Sequence, residues 1–144
     1  MENSLFKILL GDVEMKDVAA GIIFNEGKIL IAKRGKGQKS EGKWEFPGGK
    51  IEPIETPEQA VRRELMEELS LEVQIGDFFM ESTYKYNYGV IRLHAYKAEC
   101  KTGNVKLSVH SEVKWVDASD ILGYDFAEAD IPIAEKIKEM KASK

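Results

Sequence analysis

The stretch that most constrains the fold runs from Gly49 to Leu71: Gly-Lys-Ile-Glu-Pro-Ile-Glu-Thr-Pro-Glu-Gln-Ala-Val-Arg-Arg-Glu-Leu-Met-Glu-Glu-Leu-Ser-Leu. Thr56 is a good helix N-cap, Pro57 gives up only an amide that has no partner inside a helix, and Gln59 completes a capping box with Thr56. The pattern predicts a helix from about Pro57 to about Leu69. At 3.6 residues per turn, Glu64, Glu67 and Glu68 fall within an arc of about 100°, beside an apolar stripe of Val61, Leu65 and Leu69. Three carboxylates then crowd one face at the edge of the core.

Like charges three and four residues apart repel, and each raises the pKa of the others. A bound divalent cation reverses the sign of that interaction, and all-oxygen ligation suits Mg²⁺ or Mn²⁺. The plainer alternative is a solvated acidic face paired with Arg62 and Arg63.

The surrounding residues favour the cation. The run resembles the Nudix box, G-x5-E-x7-R-E-U-x-E-E-x-G-U with U apolar, through Gly49, Glu55, Arg63, Glu64, Leu65, Glu67, Glu68 and Leu71. Ser70 stands where the family has the glycine that ends the helix, so serine is expected to adopt a left-handed conformation at some cost. The resemblance spans about residues 17–138. It implies an α/β fold, the Nudix α/β/α sandwich with a mixed β-sheet between helices. It also implies Mg²⁺ or Mn²⁺ held by Glu64, Glu67, Glu68 and a backbone carbonyl, by position that of Gly48. Arg63 is expected to pair with Glu55 and hold the helix face in place. The implied activity is pyrophosphohydrolysis of (deoxy)nucleoside triphosphates, with other nucleoside diphosphate derivatives (ADP-ribose, dinucleoside polyphosphates, capped RNA) or a non-catalytic nucleotide-binding module as alternatives.

Length and composition agree. A chain of 144 residues with 43% apolar content is expected to form one domain over 1–144, with residues 1–16 as a possible extension. Its Leu5–Leu10 run reads as an edge strand, a helix or an interface segment. A net charge of -4 argues against a dedicated nucleic-acid binder, so the expected partner is a small nucleotide, with no stable nucleic-acid partner. A single cysteine, Cys100, leaves no disulfide framework, and no apolar run is long enough for a membrane span. A cytoplasmic monomer or homodimer is the expectation.

In chain order, residues 17–24 and 28–33 read as a hairpin about Asn25-Glu26-Gly27. The following Gly/Lys-rich loop either keeps itself in water by its charge or borders the substrate. By resemblance, Arg34, with Lys33 or Lys39 beside it, meets phosphate oxygens. Trp44-Glu45-Phe46-Pro47-Gly48-Gly49-Lys50 leads into the box and adds Phe46 and Lys50 to the residues expected at the substrate. Tyr84, Tyr86 and Tyr88 alternate along the next strand, as cross-strand packing or as a base-stacking wall. Residues 89–100 form another strand, and Thr102-Gly103-Asn104 its turn. In the family a glutamate in the loop before the final strand completes the metal site or serves as base. Val109 occupies one such position here, leaving Glu112 as the nearest candidate, or as a structural loop residue; by resemblance the base is Glu64 or Glu112, with Glu68 as a shared metal ligand, and His110 reads as a loop or packing residue. Residues 130–144 read as an amphipathic helix with Ile133, Ile137 and Met140 on one side. Asp130, just before Ile131-Pro132, is an N-cap on the residues alone. By resemblance it reads the edge of the base, and Ala129-Asp130-Ile131-Pro132 with Leu93-His94-Ala95-Tyr96 is most similar to the cytidine-nucleotide branch.

Overall fold

The computed structural model describes residues 14–100, 105–106 and 110–142. The expectations for Leu5–Leu10, for the turn at 102–104 and for Val109 lie outside these residues. The hairpin is β1 (Met15–Asn25) and β2 (Lys28–Arg34); β3 (Trp44–Glu45) and β4 (Gly48–Lys50) lead into helix α1 (Pro57–Leu69). Long strands β5 (Val73–Tyr86) and β6 (Gly89–Cys100) follow, then β7 (His110–Asp117), two 3-10 turns (Ala118–Gly123 and Glu128–Asp130) and helix α2 (Ile131–Ala142).

The sheet runs β3-β2-β1-β6-β5, with β4 added to β1 and β7 to β2. β1 and β6 are parallel and the other pairs antiparallel, so the sheet is mixed. β1 and β2 pair only next to their turn, at Phe24↔Ile29 and Asn25↔Lys28. Beyond that they diverge, β1 pairing with β4 and β2 with β3 and β7.

Alternation along β1 sorts its side chains between two cores. Ala19 and Ile23 pack with Val61, Leu65 and Leu69 of α1, whereas Ala20 and Ile22 share the other face with Phe46, Phe126, Ile133 and Ile137. This is the α/β/α sandwich expected from the resemblance. Among the described residues no helix is long and apolar enough to cross a membrane.

Helix α1 has the bounds read from its caps. Thr56 Oγ1 accepts from the Gln59 N–H at 3.1 Å, and Gln59 Oε1 accepts from the Thr56 N–H at 2.9 Å. At the other end Ser70 is left-handed, with φ 53° and ψ 38°. The Leu71 N–H then reaches back to the Leu65 carbonyl at 3.2 Å, the closure a terminal glycine normally provides.

Candidate active site

Two glycines bring the strand layer against the acidic face of α1, and both are required by close approach, not by unusual torsions. A Cβ on Gly48 would come 1.9 Å from the Ala19 carbonyl oxygen, and one on Gly49 would come 2.4 Å from the Glu64 carboxyl carbon. The Glu64 carboxylate therefore lies directly on the β4 backbone.

Arg63 organises the carboxylates. Its Nε and Nη2 donate to the two oxygens of Glu55 at 2.8 and 2.9 Å, Nη1 donates to Glu64 Oε1 at 2.6 Å, and Nη2 also reaches the Lys50 carbonyl at 3.0 Å. Glu67 is farther out, 3.4 Å from Nη1 and mostly exposed. The bidentate Arg63 contact, helped by the Glu52 N–H, holds the Glu55 carboxyl down at about 2. Glu55 and Arg63 thus form a fixed ionic brace between the β4–α1 loop and the helix.

Glu68 is different. Burial pushes its carboxyl up to about 7; the charges of Glu64 and Glu45 push the same way, while His110 and Arg34 oppose them. Its Oε1 is buried without a hydrogen-bond partner. Among the described residues no three His, Cys, Asp or Glu side chains converge as a ready-made ligand set, and Arg63 already engages Glu64 and Glu67. What remains is the Glu68 Oε1 orphan and the second oxygen of Glu64 against Gly49. A buried carboxylate oxygen with no partner, one helical turn from a second carboxylate, suits a divalent cation.

A cavity of about 230 Å³ opens beside these carboxylates, lined by Arg34, Lys39, Ser40, Glu45, Phe46, Gly48, Gly49, Lys50, Tyr86, Tyr88, Leu93 and Asp130 among others. It brings Arg34, Phe46, Lys50 and Asp130 together, although 80 residues separate Lys50 from Asp130 in the chain. Phe46 is only 2% exposed and stacks on Phe126 with ring centroids 5.1 Å apart, so it forms floor more than open surface. Tyr86 and Tyr88 stack at 4.9 Å with Tyr84 edge-on to Tyr86, and the Lys39 ammonium lies 4.1 Å from the Tyr88 ring centre. Tyr88 belongs to the β5–β6 turn instead of the strand, yet its ring continues the wall.

Asp130 stands directly before α2, at the capping position, and also makes a bond across the fold. It ends the preceding 3-10 turn, and its Oδ2 accepts the Phe46 N–H at 2.9 Å. The neighbouring Ala129 is clamped by two side chains, its carbonyl by Ser82 Oγ at 2.7 Å and its N–H by Tyr86 Oη at 2.9 Å. Burial drives the Asp130 carboxyl well above the usual range, with the Glu45 charge adding to it and the Phe46 N–H and Arg34 working against it.

Comparison with known proteins decides the family. The NUDIX domain family matches residues 15–137. This chain belongs to the Nudix family. The Nudix protein is 36% identical over 132 residues to the CTP pyrophosphohydrolase of Escherichia coli K12, covering 92% of this chain and 98% of the relative. It is 36% identical over 124 residues to the 8-oxo-dGTP diphosphatase of the same organism, covering 85% and 96%. The crystal structure of a MutT protein from Methanosarcina mazei Go1 superposes with a TM-score of 0.82 at 25% identity, over 90% of this chain and 97% of that one. The Nudix protein is accordingly a hydrolase of nucleotide phosphoanhydride bonds, in a family that generally uses divalent metal cations.

One residue of this Nudix hydrolase, Glu45, was not singled out by its sequence, and one candidate moves. Glu112 lies inside β7, opposite Lys33, and not in a loop before it; its half-exposed carboxylate is 3.9 Å from Lys114 and does not line the cavity. Between the cavity and β7 stands Glu45, bonded to Arg34 Nη1 at 2.8 Å through one oxygen and to His110 Nε2 at 2.8 Å through the other. The available signal was alternation. In Trp44-Glu45-Phe46 a carboxylate sits between two core aromatics, so it faces opposite to them, toward Arg34.

Proposed function

We propose that this Nudix hydrolase cleaves (deoxy)nucleoside triphosphates to nucleoside monophosphate and pyrophosphate, in nucleotide-pool sanitation, with cytidine-type or oxidised purine bases as substrates. The observation that carries the reading is Glu68. Its partnerless buried oxygen lies one helical turn from Glu64, which packs against Gly49, and Gly49 lines a cavity that also presents Arg34, Lys50 and the buried carboxyl of Asp130. The names of the two Escherichia coli relatives, one for CTP and one for 8-oxo-dGTP, support the substrate class.

Glu64, Glu68 and the Gly48 carbonyl would hold Mg²⁺ or Mn²⁺, with Glu67 at the outer edge. Such an ion neutralises phosphate charge and makes bound water a stronger nucleophile. The chain itself supplies the rest. Arg63 fixes Glu64 through Oε1, so Oε2 is the oxygen that serves either as ligand to the ion or as base toward the attacking water, and not as both at once. Arg34 and Lys50 meet phosphate oxygens, and the Glu55–Arg63 brace keeps the helix face in register with the cavity. Asp130, tied through Oδ2 to Phe46, presents Oδ1 to the base. Ionised, it accepts from an exocyclic amine such as cytosine N4; protonated, it donates to a purine carbonyl.

The test is pyrophosphate release, with Mg²⁺ and with Mn²⁺, across ordinary and oxidised nucleoside triphosphates, ADP-ribose and a dinucleoside polyphosphate. Turnover concentrated on cytidine or oxidised guanine triphosphates is expected, and Asp130→Ala should reorder the bases more than it lowers the overall rate. Cleavage confined to ADP-ribose or the dinucleotide would overturn the substrate class.

A further inference from the structure

Glu45 is a carboxylate where a polyphosphate is expected to bind, and like charge there opposes substrate unless something else requires it. Its surroundings show what that is. Glu45 lies on β3 opposite Ala32, and Arg34 lies at the end of β2 opposite His110, where the β2–β7 register slips between Lys33 and Arg34. A bulge of this kind re-aims the side chain beside it. Three strands thereby converge on one chain of contacts, Arg34 Nη1 to Glu45 Oε1 and Glu45 Oε2 to His110 Nε2, each 2.8 Å.

The ends of this chain differ in a telling way. The His110 side chain is 2% exposed and its Nδ1 has no partner. Because an ionised carboxylate only accepts, Nε2 carries the proton and donates it to Glu45. Arg34, at the open end, gives Nε to the Lys39 carbonyl and Nη1 to Glu45. Its Nη2 has no protein hydrogen bond among the described residues, and the side chain lines the cavity. Two of the three guanidinium nitrogens are thus spent fixing the plane, and the third is left without a protein partner on a side chain that lines the cavity.

We propose that the buried His110–Glu45 pair is the positioning device for Arg34, holding its guanidinium so that Nη2 meets the phosphates of the nucleoside triphosphate. The proposal rests on the reading of Arg34 as a phosphate contact. His110 and Glu45 are positioning residues and take no part in bond breaking. Rigid presentation matters because a planar, fork-shaped donor contributes fully only when its orientation is fixed before substrate arrives.

The experiment is a double-mutant cycle on the full chain. His110→Phe fills the buried volume but lacks the donor, and Glu45→Gln retains the shape while weakening the hold on Arg34. Each is expected to raise KM for the best nucleoside triphosphate about tenfold with kcat within about twofold, the pattern of lost substrate binding. Each should weaken binding of an α,β-imido nucleoside triphosphate in parallel. His110→Gln, which keeps an N–H donor, should recover part of the loss. In an Arg34→Ala background, His110→Phe should change KM no further, because its effect acts through Arg34. An equal, additive loss in that background overturns the proposal and leaves Arg34 as a phosphate contact. A normal KM for Arg34→Ala alone overturns the phosphate reading and the proposal with it. Should His110→Phe fail to fold, the Glu45→Gln arm of the cycle decides the same question.

Discussion

Glu68→Gln separates what Glu68 does for the fold from what it does for the reaction. In the folded protein the Glu68 carboxyl is raised from 4.5 to about 7, chiefly by burial. Between those pH values the folded state therefore holds more protons than the unfolded state, and the sign of linkage makes stability fall as pH rises. The Glu68 contribution is neutral below about pH 4.5 and reaches its full penalty above about pH 7. A shift of this size corresponds to roughly 3 kcal/mol at full burial. Solvent reaches part of the carboxylate, so the working figure is about 1–2 kcal/mol. Without divalent ions, Glu68→Gln should therefore match the wild type near pH 4.5 and melt about 3–6 °C higher at pH 8. Adding Mg²⁺ at pH 8 should raise the wild-type melting temperature and leave the variant nearly unmoved, because ligation stabilises only the state that binds. Turnover should fall by about 100-fold or more. Thermal denaturation followed by circular dichroism at the two pH values, with and without Mg²⁺, measures all but the last. A variant no more stable than wild type at pH 8, or a difference that does not change with pH, would refute the buried-carboxylate argument. Near-normal turnover would refute the role in metal binding.

Other substitutions test the frame around the site. Ser70 and Ile54 are non-glycine residues at φ 53° and φ 63°; Ser70→Gly and Ile54→Gly should each raise urea-denaturation stability by about 0.5–1 kcal/mol and leave kcat unchanged. The Ile54 gain is the cleaner one, since its side chain is fully exposed and loses no packing. Thr56→Ala removes the capping oxygen of α1 and should cost about 1 kcal/mol in the same assay. Arg63→Lys cannot bridge Glu55, Glu64 and the Lys50 carbonyl together, so kcat should drop by about 10–100-fold while the melting temperature changes little by comparison. An equal loss of activity and of folded protein would mean that the brace is merely structural.

Both ends of α1 were legible in the chain because the signals are local. A capping box spans four residues, and the left-handed closure at Ser70 spans one turn. The apolar stripe Val61, Leu65 and Leu69 was equally plain, since helical periodicity alone puts those residues on one face, and all three are buried. The family pattern named the Arg63–Glu55 pair for the same reason: loop and helix are adjacent in sequence, and the brace closes over eight residues.

The rest depended on contacts between distant segments. Asp130 has a good capping residue's sequence context, but that context does not reveal that its Oδ2 accepts the Phe46 N–H, 84 residues away in the chain. Glu112 was the reasonable carboxylate near the last strand, but the β2–β7 pairing turns it toward Lys114 and delivers His110 to Glu45 instead. Sequence by itself determined the helix, its charged face, the brace and the family, because these arise from residues within one or two turns of each other. Only the tertiary structure decided which groups share the cavity and what their charges become. Desolvation and pairing between strands far apart in sequence depend on where each strand lies in the sheet, and no local pattern records that position.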